Sequence, residues 1–177
     1  SYDNIEIGDN NNKLYIVKEN NLYGIVNTDG QVVLQSNFQQ IGVNNDTFKQ
    51  NRLSSQYILV NELIPVKYNN LWGFYNIKGQ RVTDFNLLDV GCKDSKEVNT
   101  YPVVEIPSLN LVVVKTNENG YNLMNRSGEM RIAVSLNSIY LKTDAATGKN
   151  TYYMTYGGTT TKTLNIEEFF ASVGANE

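Results

Sequence analysis

One segment of this chain occurs three times. Leu14-Tyr15-Ile16-Val17-Lys18-Glu19-Asn20-Asn21-Leu22-Tyr23-Gly24-Ile25-Val26-Asn27-Thr28-Asp29-Gly30-Gln31 lies over Leu63-Ile64-Pro65-Val66-Lys67-Tyr68-Asn69-Asn70-Leu71-Trp72-Gly73-Phe74-Tyr75-Asn76-Ile77-Lys78-Gly79-Gln80 without a gap, at a constant offset of 49 residues. A third copy runs from Leu111-Val112-Val113-Val114-Lys115 to Asn125-Arg126-Ser127-Gly128-Glu129, with one residue added in the loop Thr116 to Gly120. After that insertion Tyr121 falls on Trp72, Asn122 replaces the glycine, and Gly79 and Gly128 are again 49 residues apart. A period of this length marks units that cannot each bury an apolar face alone and that gain a core by stacking.

The tail of each unit recurs as well, as Phe38-Gln39-Gln40-Ile41, Leu87-Leu88-Asp89-Val90 and Leu136-Asn137-Ser138-Ile139. Tyr2-Asp3-Asn4-Ile5 has the same form, so the chain is expected to open on the end of a preceding unit. The unit boundaries are then 1–13 for that tail, 14–62, 63–110 and 111–150 for the three copies, and 151–177 for a terminal hairpin and helix.

Each unit reads as strands joined by tight turns. Asn20-Asn21 and Asn69-Asn70 suit hairpin loops, because asparagine tolerates positive φ. Asn27-Thr28-Asp29-Gly30, Asn76-Ile77-Lys78-Gly79 and Asn125-Arg126-Ser127-Gly128 place an asparagine that binds its own backbone ahead of a glycine that takes the left-handed position. Further apolar stretches, Tyr57-Ile58-Leu59-Val60 and Val103-Val104-Glu105-Ile106, bring the count to about four strands per unit, close to a propeller blade. Three units are too few to close a ring. The predicted fold is all-β, with blade-like hairpin and meander units in an open stack or as part of a larger ring.

The end of the chain departs from this pattern. Thr151 to Thr163 reads as a last hairpin around Gly157-Gly158. Asn165 with Glu168 forms a capping-box pattern, Ile166, Phe169, Phe170 and Val173 make a helical stripe, and Gly174 supplies a stop. The expected helix covers the end of the stack.

At Leu71-Trp72-Gly73-Phe74-Tyr75-Asn76-Ile77-Lys78-Gly79-Gln80 the chain resembles the WG-repeat proteins, also called KWG-repeat proteins. That family carries a Trp-Gly pair, an aromatic-Ile-Asp/Asn strand end, a Gly-Lys/Gln turn and a closing Tyr-Asp-x-Ile. The resemblance spans residues 2 to about 140, with Tyr23-Gly24 and Tyr121-Asn122 standing for Trp-Gly in the other copies. It implies a bacterial protein working outside the cytoplasm, secreted, periplasmic or at the cell surface. It supplies no catalytic residue, since the family has no established activity.

Composition narrows the chemistry. The chain has no histidine and one cysteine, Cys92, which removes Ser-His and Cys-His pairs and a thiolate zinc site; Cys92 reads as a small apolar residue. A net charge of -3 gives no basic footprint for nucleic acid. No apolar run reaches the length of a membrane-spanning helix. The chain starts at Ser1, and a trimmed leader carrying a signal or lipid anchor is the expectation there. No cofactor or metal is expected: Asp9-Asn10-Asn11-Asn12 and Asn44-Asn45-Asp46 offer oxygen ligands but read as turns. Asn45-Asp46-Thr47 and Asn125-Arg126-Ser127 match the glycosylation sequon, and Asn125 already has a turn to make.

Trp72, Tyr23 and Tyr121 fit either a stacking platform or a core position, and the glycine beside the ring favours the core. The tyrosines ahead of the second and third units and in the last hairpin, Tyr57, Tyr101, Tyr152, Tyr153 and Tyr156, form the candidate ligand-contact surface. Asp84, Asp89, Glu97 and Glu105 are carboxylates without the facing arrangement that a glycosidase needs. The function expected is a non-enzymatic binding or scaffold module that presents a sheet surface to a protein, a peptide or a cell-wall glycan. The alternatives are a structural spacer holding another domain and, third, a hydrolase that uses carboxylates alone.

Overall fold

Alternating apolar residues between Asn and Gly turns become antiparallel strand pairs in the computed structural model, which describes residues 1–9, 12–48, 57–58, 62–93 and 99–174. The first sheet is a meander of β1 (Asn4–Asp9), β2 (Leu14–Glu19), β3 (Leu22–Asn27) and β4 (Val32–Phe38). After it come β5 (Gln40–Ile41), β6 (Val43–Asn44), a single helical turn α1 (Asn45–Phe48) and β7 (Tyr57–Ile58). Next, β8 (Leu63–Tyr68) and β9 (Leu71–Asn76) join β5 in a second sheet, in the order β5-β8-β9.

Then follow β10 (Asp89–Val90), β11 (Thr100–Pro102), β12 (Glu105–Ile106), a 3-10 turn Pro107–Leu109, β13 (Leu111–Asn117) and β14 (Gly120–Met124). In the third sheet β13 is central, with β14 on one edge and β10 and β12 on the other. The fourth sheet, β11-β15-β16-β17, adds β15 (Ser138–Thr143), β16 (Asn150–Tyr156) and β17 (Lys162–Asn165). The chain then enters α2 (Ile166–Gly174).

Local chemistry accounts for the turns. Asn20, Asn21, Asn69 and Asn70 have φ of 52°, 64°, 49° and 65°, the left-handed pair that a two-residue hairpin loop needs to match strand twist. Gly30, Gly79 and Gly128 have φ of 76°, 82° and 86°. Each donates its N–H to the carbonyl of the asparagine three residues earlier, at 3.1, 3.0 and 3.1 Å. The same asparagines, Asn27, Asn76 and Asn125, accept N–H groups two and four residues on through Oδ1, all at 2.9–3.0 Å.

The tails tie the sheets together. Phe38 pairs with Tyr23 in the first sheet, and two residues later Gln40 pairs with Lys67 in the second. Leu87 bridges Trp72 before Asp89 pairs with Lys115, and Leu136 bridges Tyr121 before Ser138 pairs with Thr155. The second, third and fourth sheets thus each include a strand from the tail of the preceding segment, β5, β10 and β15, and β1, built on Asn4-Ile5, holds that place in the first. Of the extra apolar stretches expected to supply a fourth strand, Glu105–Ile106 does so as β12 on β13 in the third sheet, and the one ahead of the second unit does not. A two-residue step leaves the tail already beside the next hairpin, so Tyr57 and Ile58 pair with β6 instead; Leu59 and Val60 lie outside the described residues.

Three apolar layers separate these four sheets. Leu14, Ile16, Ile25 and Leu34 meet Ile64 and Val66 between the first and second. Leu63, Trp72 and Phe74 meet Val112, Val114 and Met124 between the second and third. Val113, Leu123 and Leu136 meet Ile139 and Met154 between the third and fourth. The middle sheets are therefore covered on both faces, which is why Leu63-Ile64-Pro65-Val66 and Leu111-Val112-Val113-Val114 are buried as continuous runs instead of alternating.

Asn165 accepts the Glu168 N–H at 3.0 Å and starts α2 as an N-cap. Because Asn165 also ends β17, the helix turns back beneath its own sheet. Ile166, Phe169 and Phe170 join the third layer, while Val173 remains 39% exposed. The outer face of the fourth sheet is left to other residues. No helix among the described residues is long and apolar enough to cross a membrane.

Candidate functional site

Strand alternation divides the candidate tyrosines. Along β16, Tyr152 and Tyr156 fall on the side of Met154, half-buried against the third layer. Tyr153 points the other way and stacks on Tyr140, with ring centroids 5.5 Å apart and planes at 27°. These two are direct cross-strand partners, the arrangement that brings aromatic rings into contact across a sheet. Their face continues into hydroxyls: Ser138 and Thr155, also cross-strand partners, share a hydrogen bond of 2.6 Å. Tyr101 is half-buried in β11, paired with Leu141, and Tyr57 belongs to β7 with a side chain outside the described set. The structure thus brings Tyr153 together with Tyr140, a residue the sequence reading passed over. Drawing the register of the hairpin around Asp144 would have found it.

The aromatic positions Tyr23, Trp72 and Tyr121 follow the core reading, Trp72 most fully at 5% exposed. The residue after each ring explains the pattern. A Cβ on Gly24 would meet the Leu34 carbonyl oxygen at 2.6 Å, and one on Gly73 would meet the Phe85 ring at 2.8 Å. The returning chain needs that space. Asn122 solves the same problem differently: its side-chain amide donates to the Ile132 carbonyl at 2.9 Å and accepts the Ile132 N–H at 3.1 Å. The carboxamide stands in for a backbone ladder.

Each ring also has a lysine directly across the hairpin: Lys18, Lys67 and Lys115. Lys18 lies over Tyr23 at 5.4 Å and Lys115 over Tyr121 at 5.9 Å, within cation–π range. Around Lys67 and Trp72, by contrast, there is a cleft of about 170 Å³. Gln40 and Val43 from the preceding tail, Thr47 and Phe48 from α1, and Asp89 and Lys93 from the following tail complete its wall. Lys93 reaches back to Asp89 at 2.9 Å, and Asp89 also accepts the Val90 N–H at 2.8 Å.

No protein-family model matches this chain, and no curated protein or solved structure matches it.

The remaining carboxylates are dispersed. Asp84 is exposed and lies 3.7 Å from Arg81, Glu105 is buried in β12, and Glu97 lies outside the described residues. Asp144 sits in the exposed turn of the last sheet, where the N–H groups of Thr147 and Ala146 hold its carboxyl below the usual range. Among the described residues no three His, Cys, Asp or Glu side chains gather into a possible metal site. Among the described residues the chemistry concentrates in two places: the tyrosine and hydroxyl face of the last sheet, and the cleft at Trp72.

Proposed function

We propose that this chain is a non-enzymatic binding or scaffold module of the WG-repeat kind, an open stack of blade-like units that presents a sheet surface to a protein, a peptide or a cell-wall glycan outside a bacterial cytoplasm. The observation that carries this reading is the Tyr140–Tyr153 pair on the face of the last sheet that its apolar layer does not use. Half-buried rings beside a row of hydroxyls offer a flat apolar patch with a wet polar margin, suited to the face of a sugar or an extended peptide. The 49-residue period and the turns repeated in register support the stack.

A glycan and peptide array probed with the tagged protein tests this, alongside a Tyr140→Ala, Tyr153→Ala double variant. Binding that the double variant loses is the expected result. The second reading, a spacer array, rests on the one-dimensional order of the layers, each sheet touching its neighbours in turn. A protein that binds nothing on the array, or binds equally well without both rings, would put the spacer ahead.

A further inference from the structure

We propose that the cleft at Trp72 is a binding site for a small ligand that docks by a carboxylate on the Lys67 ammonium; this deepens the binding-module reading and rests on it. Three charged side chains line the cleft: Lys67, Asp89 and Lys93. Two of them neutralise one another, since Lys93 holds Asp89 at 2.9 Å. Lys67 is left over. The equivalent lysines cover a ring, Lys18 on Tyr23 and Lys115 on Tyr121. Lys67 has no ring contact, hydrogen bond or ion pair from its ammonium to any described residue, and it is half-buried beside Trp72. A cation in that setting has lost part of its hydration without a protein partner in exchange, which favours an anion that supplies a charge-assisted hydrogen bond.

The rest of the wall defines the ligand's body. Thr47 brings a hydroxyl, and Gln40, whose amide nitrogen is engaged by the Gly42 carbonyl at 3.2 Å, keeps its amide oxygen as an acceptor. Phe48 and Trp72, both buried, contribute apolar surface to the lining. A volume near 170 Å³ suits one compact polar body, such as a single sugar ring or an amino acid. The shared chemistry is a carboxylate on a hydroxyl- or amide-bearing body, from an acidic sugar or an acidic amino acid.

Trp72 is the single tryptophan of the chain, so its emission reports on the cleft without labelling. Wild-type protein is titrated with glucuronate and with N-acetylglutamate, and in parallel with glucose and N-acetylglutaminamide as neutral counterparts. The expected result is a saturable change in emission with at least one acid, at least about tenfold weaker with its neutral counterpart, as loss of one charge-assisted contact implies. The acid that saturates identifies the source of the carboxylate. Lys67→Met should weaken binding by about tenfold or more, and Lys67→Arg should retain it better. Lys142→Met on the last sheet should leave it unchanged, and the Lys67 variants should keep the wild-type melting temperature.

No saturable response to either acid, an equal response to the neutral counterparts, or an undiminished response in Lys67→Met would overturn the proposal. Failure of these titrations together with an array hit that needs Tyr140 and Tyr153 would remove the cleft and leave the binding-module reading in place.

Discussion

Gly30, Gly79 and Gly128 hold the same turn with the same φ, yet they do not face the same surroundings. A Cβ on Gly79 would meet the Val33 carbonyl oxygen at 2.3 Å, and one on Gly128 would meet Val82 at 3.0 Å. Nothing lies within 4 Å of the corresponding point on Gly30. Alanine at all three positions carries the left-handed penalty of about 1 kcal/mol, while overlap with the neighbouring strand adds about 1–3 kcal/mol at Gly79. Equilibrium urea unfolding should therefore rank Gly79→Ala as the costlier change and Gly30→Ala as the milder; equal costs would mean that the turn does not touch the preceding sheet. Asn122→Ala should lose about 1–3 kcal/mol by leaving the Ile132 backbone groups unpaired. Asn122→Gly, which restores the residue of the other two copies, should lose less in the same measurement.

At the scale of elements, turns and hairpins were legible because their signals are local. Asn-Asn and Asn-x-x-Gly name their own geometry, and the cap at Asn165 names the start of α2. Pairing between distant segments was less legible. Gln40-Ile41 and Asp89-Val90 are two-residue strands with no periodicity of their own, so their role as the first strand of the next sheet emerges only from register. The helix also behaves differently from its stripe: Ile166 is fully buried in the third layer, whereas Val173, two turns later, is exposed. Thermal or urea unfolding should give a cost of about 2–5 kcal/mol for Ile166→Ala and below about 0.5 kcal/mol for Val173→Ala. Comparable costs would place the helix on a different surface from the one described.

For the whole molecule, the three apolar layers follow from an accounting of faces. Two middle sheets with continuous buried runs need apolar cover on either face, and two-residue steps bring each tail beside the next hairpin. The all-β class was legible in the apolar alternation and the Asn and Gly turns, but the functional surfaces were only partly so. Tyr153 was identified, and its partner Tyr140 was missed because a lone aromatic in β15 carries no signal until the strands are paired. The cleft was invisible in the sequence, since Gln40, Lys67, Trp72, Asp89 and Lys93 come from three separate segments.

The central claim is that the second and third units share one repeated contact, in which the glycine of the Asn-x-x-Gly turn rests on the returning chain of the segment before. Val33 and Val82 are themselves 49 residues apart, as are Gly79 and Gly128. A nuclear Overhauser spectrum of protein labelled at valine methyls and glycine reads both contacts directly. The account predicts cross-peaks from the Gly79 α-protons to Val33 and from the Gly128 α-protons to Val82, with no valine partner of this kind for Gly30. Absence of both, with the hairpins themselves intact, would contradict that contact.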